Sequence, residues 1–237
     1  MLRKLLLSTL LLGASLLAQA APHQPAIATA HPAATAAAKQ ILDAGGNAFD
    51  AAVAASAALA VVEPYGSGLG GGGFFLLRSA GDTPRYDFID ARERAPLEAK
   101  ADLYVRDGKV QRELSLNGAL AAAIPGLPAA LVELAEHHGR LPLKTSLAPA
   151  IRLAREGFAV DRVYRERATW RLAALRDDAE SAKLFLDQGE VPAEGQLLRQ
   201  ADLAVTLQAL ADHGRAGFYQ GPIAERLAAG VRQAGGI

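Results

Sequence analysis

The stretch GGNAFDAAVAASAALAVVEP, residues 45–64, decides the fold. Gly45-Gly46 closes one helix and Asn47 opens the next. The Asn47 amide can cap the free N–H groups of a first turn, and Asp50, three residues on, suits the positive end of the helix dipole. From Ala48 to Val62 the segment carries Phe49, Val53, Leu59, Val61 and many alanines, and leaves no polar face. A short helix that is apolar all round belongs in the interior, covered by neighbours. Glu63-Pro64 ends it, because a proline pushes the residue before it out of helical backbone.

Working outward, Pro32 starts the preceding helix, which runs to Gly45-Gly46 and so pairs a proline near the start with a glycine past the end. Before it, Ala26–Ala30 (AIATA) predicts a short strand. After it, Gly73–Leu77 (GFFLL) predicts a strand buried on both faces. Arg85–Ala91 (RYDFIDA) predicts a second, joined to the first through Ser79–Pro84 as a hairpin. The rest is mainly helical. Leu127, Leu131, Leu134 and Ala135 form one stripe, closed by Gly139. Leu147, Ala150, Ile151 and Ala154 form another, with Thr145 or Ser146 as cap and Gly157 as stop. Asp161 opens a long charged helix carrying Trp170, Leu175 and Leu184. Leu203, Leu207 and Leu210 stop at Gly214, and Gly221-Pro222 begins a last helix with Ile223, Leu227 and Val231.

Composition narrows the function classes. With 51% hydrophobic and 21% charged residues the 237-residue chain is neither disordered nor fibrous. Lys+Arg 25 against Asp+Glu 25 gives no net field for nucleic acid or anionic lipid. The absence of cysteine excludes disulfides, thiolate catalysis and cysteine-ligated metals. The first residues read as a secretory signal: Arg3-Lys4, an apolar run from Leu5 to Leu17, then Ala18-Gln19-Ala20. The run is too short to span a bilayer. Cleavage after Ala20 is therefore expected, with residues 21–237 exported to the periplasm or secreted, free of the membrane. Ile237 directly follows a helix stop signal, so the sequence is expected to be a truncated piece.

Three apparent motifs carry no chemistry. Gly66-Ser67-Gly68-Leu69-Gly70-Gly71 matches the dinucleotide pattern, but a helix precedes it and a strand follows, the reverse of the order that aims a helix at a pyrophosphate. Those glycines read better as backbone packed too closely for side chains. His137-His138 are neighbours on a helix and point about 100° apart, so one metal cannot take both. No metal site and no cofactor is expected. Asp177-Asp178 and Glu133/Glu136 read as solvated charges.

One constellation remains, Asp90-Ala91-Arg92-Glu93-Arg94-Ala95-Pro96 at the end of the second strand. Two readings stay open on spacing. Arg92 is either in a structural ion pair with Asp90 or Glu93, or a planar fork that takes a carboxylate through two parallel hydrogen bonds.

Residues 31–96 closely resemble the gamma-glutamyltranspeptidase (glutathione hydrolase) family. The resemblance is carried by His31-Pro32, the run Ile41–Val53, Val62-Glu63-Pro64, Ser67–Phe74 and Arg92-Glu93-Arg94-Ala95-Pro96. Weaker matches continue in order through Asn117-Gly118, Ile124-Pro125-Gly126, Glu156-Gly157-Phe158, Gly217-Phe218-Tyr219, Gly221 and Ile223-Ala224. Tyr65 is a small departure, many members having histidine there. The resemblance implies an α/β (α+β) N-terminal-nucleophile hydrolase with an αββα sandwich, incomplete and helix-rich in this segment. Residues 21–237 then correspond to the N-terminal portion of the large subunit of a self-cleaving precursor. It also implies a small subunit of the same precursor as partner, and glutathione and other gamma-glutamyl compounds as substrates. A threonine acyl-enzyme passes glutamate to water or to an amino acid or peptide. Arg92 matches the substrate-binding arginine that grips the glutamyl α-carboxylate. The nucleophile is not matched. Thr9, Thr29, Thr35, Thr83, Thr145, Thr169 and Thr206 all lie outside the family's Thr-Thr-His context, so no catalytic residue is expected in this chain and no turnover from it alone. The alternative class is a non-catalytic periplasmic protein that binds carboxylates or pairs with a separately encoded subunit.

Overall fold

The helix named by residues 45–64 sits at the centre of the molecule. A computed structural model describes residues 25–237, and the predicted signal segment 1–20 lies outside the described residues. Helix α1 (Pro32–Asp43) and helix α2 (Ala48–Val62) form an antiparallel start. They are followed by strands β1 (Gly73–Arg78) and β2 (Tyr86–Ala91). A minor hairpin, β3 (Val105–Arg106) with β4 (Lys109–Val110), and two short 3-10 turns lead to helices α3 (Leu127–His137) and α4 (Leu143–Glu156). Strand β5 (Phe158–Ala159) precedes α5 (Arg162–Trp170), α6 (Leu172–Asp177) and α7 (Ala179–Phe185). Strand β6 (Leu197–Leu198) pairs back to β5 before α8 (Ala201–His213), α9 (Arg215–Tyr219) and α10 (Gly221–Gln233).

Helix α2 is buried over most of its surface, which explains its lack of a polar face. Ala54 and Ala58 meet Ala34, Ala37 and Ile41 of α1. Val53, Ala57, Ala60 and Val61 face the larger core, with Leu131 and Leu134 of α3, Leu147 and Ala150 of α4, and Leu207 and Leu210 of α8. Those five leucines are fully buried, and burial of each contributes about 2 kcal/mol. Gln200, itself buried, fastens three helices. Its backbone N–H donates to Ala154 O (2.8 Å), and its side-chain Nε2 donates to Val61 O (2.6 Å).

The main hairpin is antiparallel, in register Gly73↔Ala91 through Arg78↔Tyr86. Its faces differ from the sequence expectation. Phe75, Leu77, Ile89 and Ala91 point to the core, whereas Phe74, Leu76, Tyr86 and Phe88 are 59–75% exposed. A strand buried on both faces needs layers on both sides, and among the described residues helices cover only one. Phe74 and Phe88 stack on the open side with ring centroids 5.8 Å apart. An apolar face of this kind invites association. Residues 25–237 alone are expected to bind an apolar fluorescent dye, and Leu76→Ser with Phe88→Ser should cut that signal by about half or more. An unchanged signal would place the exposed surface elsewhere.

Three further expectations are corrected. Residues 26–30 are extended but pair with no strand among the described residues. Instead Thr29 Oγ1 donates to His31 O (2.9 Å), and the His31 ring caps α1 by accepting from Ala33 N–H at 3.1 Å. Helix α4 starts at Leu143 behind Pro142, so Thr145 and Ser146 lie inside the helix rather than capping it. The long charged helix is three helices: α5 gives way to α6 at Arg171, and Asp178 then adopts extended backbone and caps α7 by accepting from Ser181 N–H at 2.8 Å. Hydrogen bonding from Ser181, its side chain first and its N–H second, draws the Asp178 carboxyl below its usual range. A short acidic side chain that can bond the backbone locally competes with continued helix.

Candidate functional site

Where β2 ends, three backbone segments meet around Ala91 and Arg92. The turns after α2 bring Gly71 and Gly72 beside this point, and the segment entering α3 brings Ile124–Gly126 to its other side. Gly71 O accepts from both Gly126 N–H and Leu127 N–H at 3.0 Å. A two-way bridge joins Arg94 and Ile124, with Arg94 N–H to Ile124 O at 3.1 Å and Ile124 N–H to Arg94 O at 2.8 Å. The packing leaves no room for side chains. A Cβ on Gly72 would stand 2.2 Å from Ala91 O, and one on Gly126 would stand 2.1 Å from the same oxygen. The expectation of tight backbone through Gly66–Gly71 holds only in part, since the tightest glycine of this loop, Gly72, lies just past that run. The effect belongs to Gly72 and, more loosely, to Gly71, while Gly66 and Gly70 have open space.

This clamp fixes the main chain from which Arg92 projects. Its N–H donates to Asp90 Oδ1 at 2.9 Å, and its Nε lies 3.2 Å from Glu93 Oε2. The side chain is 70% exposed. Among the described residues its two terminal nitrogens make no hydrogen bond. Of the two readings left open by spacing, the ion pair with Glu93 is the one present. Arg94 is exposed as well.

A sizeable groove lies elsewhere. It holds about 1130 Å³ between Tyr65, the Asn117 loop, α5–α6 and the end of α10, and Arg92 does not line it. Burial raises the Tyr65 hydroxyl to about 12, with Glu63 and Asp161 adding to the effect, and burial raises Tyr164 further. Neither phenol is an acid or base at neutral pH. Trp170 and Arg167 stack on one another, with the guanidinium 4.4 Å from the ring centre. His137 and His138 part as expected: one meets Glu133 at 3.3 Å, the other packs on Phe49.

Sequence reasoning missed two residues that build the site. Gly126 was visible only as part of Ile124-Pro125-Gly126, and Tyr219 only as part of a short aromatic pair. Gly126→Ala is expected to destabilise the protein by about 2–3 kcal/mol, since a methyl group driven into backbone must displace the strand end. Equilibrium unfolding checks this, with Gly70→Ala, where space is open, as the near-neutral comparison.

Comparison with known proteins gives this junction a context. The model of the family Gamma-glutamyltranspeptidase matches residues 34–237. The glutathione hydrolase proenzyme of Escherichia coli (strain K12) is 39% identical over 217 residues, 90% of this chain and 37% of that protein. Among solved structures, Helicobacter pylori gamma-glutamyltranspeptidase superposes with a TM-score of 0.86 at 35% identity. The alignment covers 91% of this chain and 63% of that one. Gamma-glutamyltranspeptidase from Pseudomonas nitroreducens, complexed with L-DON, gives 0.84 at 35% identity over the same shares. The chain spans about a third of the length of the curated relatives it matches. These likenesses put its helix-rich α+β architecture in the N-terminal-nucleophile hydrolase class, with the αββα sandwich incomplete, since the sheets among the described residues are two-stranded. The chain belongs to the gamma-glutamyltranspeptidase family.

Proposed function

We propose that residues 21–237 serve as the N-terminal portion of the large subunit of a periplasmic or secreted gamma-glutamyltransferase and glutathione hydrolase, exported by the signal 1–20. Arg92 is its substrate-binding residue. The single observation that supports this is the placement of Arg92. A backbone clamped by Gly72 and Gly126 projects a guanidinium whose Nε is held by Glu93 and whose fork is open. Two parallel charge-assisted hydrogen bonds to the α-carboxylate would anchor the glutamyl head. They would hold its γ-amide in one place for the nucleophile.

The bond-breaking group in this reading is a threonine hydroxyl at the start of a small subunit of the same precursor. It attacks the γ-carbonyl carbon, its proton passes to the threonine's own α-amine, and the amide C–N bond breaks as the leaving amine takes that proton. Water or the amine of an amino acid or peptide then attacks the resulting ester, releasing free glutamate or a new gamma-glutamyl amide. No threonine of this chain stands in the required context, so residues 21–237 alone are expected to release no anilide from a gamma-glutamyl anilide. Release above an Arg92→Ala control would contradict the division of labour.

A further inference from the structure

The segment that clamps Arg92 is itself held from far away in sequence. Helix α3 begins at Leu127 behind Gly126, which has no side chain to cap it. A helix start leaves free N–H groups that need partners. Here the partner is Tyr219, whose hydroxyl accepts from Ala129 N–H at 3.2 Å and donates to Pro125 O at 2.8 Å. One phenol thus bridges the last residue before the Gly126 clamp and the first turn after it. Burial raises the hydroxyl above its ordinary range, which keeps its proton in place to donate.

The ring is placed with little freedom. Gly217 lies so close to α8 that a Cβ would stand 2.0 Å from Ala209 O, and Phe218 is buried in the main core. Phe218 meets the Tyr219 ring edge-on at 4.9 Å, and the Arg215 guanidinium covers it at 5.3 Å. Phenylalanine would satisfy all of these contacts. The hydroxyl is what the Pro125–Ala129 segment uses.

We infer that Tyr219 is a positioning residue for substrate recognition. By holding Pro125 and Ala129 it keeps Gly126 seated on Ala91 and Arg92, and so sets the direction in which Arg92 presents its fork. This rests on the reading that Arg92 binds the α-carboxylate. The chain of contacts is continuous: Tyr219 Oη to Pro125 O, Gly126 N–H to Gly71 O, and Gly126 Cα against the carbonyls of Ala91 and Arg92.

The test uses a precursor that carries this chain and its threonine-bearing small subunit, with two donors. One is a gamma-glutamyl anilide; the other is the 4-aminobutyryl anilide, identical except for the missing α-carboxylate. Tyr219→Phe should raise KM for the first and cut the preference between them about fivefold, the size of one net hydrogen bond. The rate on the second donor should change less than about twofold. Equal slowing of both donors, or an unchanged preference, would overturn the inference and leave Arg92 in its role. If Arg92→Ala keeps the preference, the reading beneath it fails, and the inference with it. Should Tyr219→Phe not mature, Tyr219→Gln retains a donor and an acceptor at shorter reach. It is held to the same comparison: a selective loss on the carboxylated donor supports the inference, and equal slowing overturns it.

Discussion

Asp50→Ala is expected to lower the unfolding free energy by about 4 kcal/mol and the melting midpoint by about 10 °C. Asp50 is fully buried, yet its partners are all backbone N–H groups. Oδ2 accepts from Asn47 at 2.8 Å and from Arg140 at 2.9 Å, and Oδ1 accepts from Leu141 at 3.2 Å. The first of these closes a capping box with Asn47, whose Oδ1 accepts from Phe49 and Asp50 N–H. The other two carry the start of α2 across to the turn between α3 and α4. The same turn is gripped a second time by Asn47 Nδ2, which donates to His138 O at 2.7 Å. Alanine would strand three donors, each costing about 1–3 kcal/mol. Since a domain has only about 5–15 kcal/mol in hand, the loss is a large share. Asp43→Ala removes only an exposed pair with Lys39 at 2.6 Å and should cost less than about 0.5 kcal/mol. Thermal unfolding of the two variants in the full precursor checks both numbers. A midpoint for Asp50→Ala within about 2 °C of the parent would show that water replaces the carboxylate without loss.

Much of this was legible in the sequence wherever a local rule and the global packing agree. Asn47, Asp50, the apolar run to Val62 and the Pro64 stop define α2 correctly because capping and burial act within a few residues. The hairpin was legible for the same reason, from two apolar runs and a loop between them. What failed depended on layers. Phe74 and Leu76 look as apolar as Phe75 and Leu77, and only the placement of helices on one side separates them. The β3–β4 hairpin was missed although its signal is local. Asp107 and Gly108 both have positive φ, at 51° and 71°, the primed turn that an Asp-Gly pair favours. Asp50's long-range bonds and Tyr219's hydroxyl bridge were out of reach. Their partners are backbone atoms about 90 residues away, and backbone atoms leave no mark in a side-chain pattern. Arg92 was singled out by type and neighbours and given its expected role only by the family resemblance, whereas the Gly72 and Gly126 clamp beside it follows from tertiary contact alone.

The largest functional effect is expected at Arg92. Losing both charge-assisted bonds to a carboxylate should cost about 3–5 kcal/mol, or about 10²–10³ in kcat/KM for Arg92→Ala. Maturation should proceed, because the side chain is 70% exposed and among the described residues its one side-chain ion partner is Glu93. Lysine is the more telling replacement. It keeps the charge and much of the length, and loses only the planar fork. The deciding measurement is therefore KM for a gamma-glutamyl anilide in the matured Arg92→Lys precursor. A rise of about tenfold or more, with self-cleavage intact and kcat changed far less, is the result expected for a two-pronged grip. A KM equal to that of the parent would contradict it, and would return Arg92 to the role of a surface ion pair with Glu93.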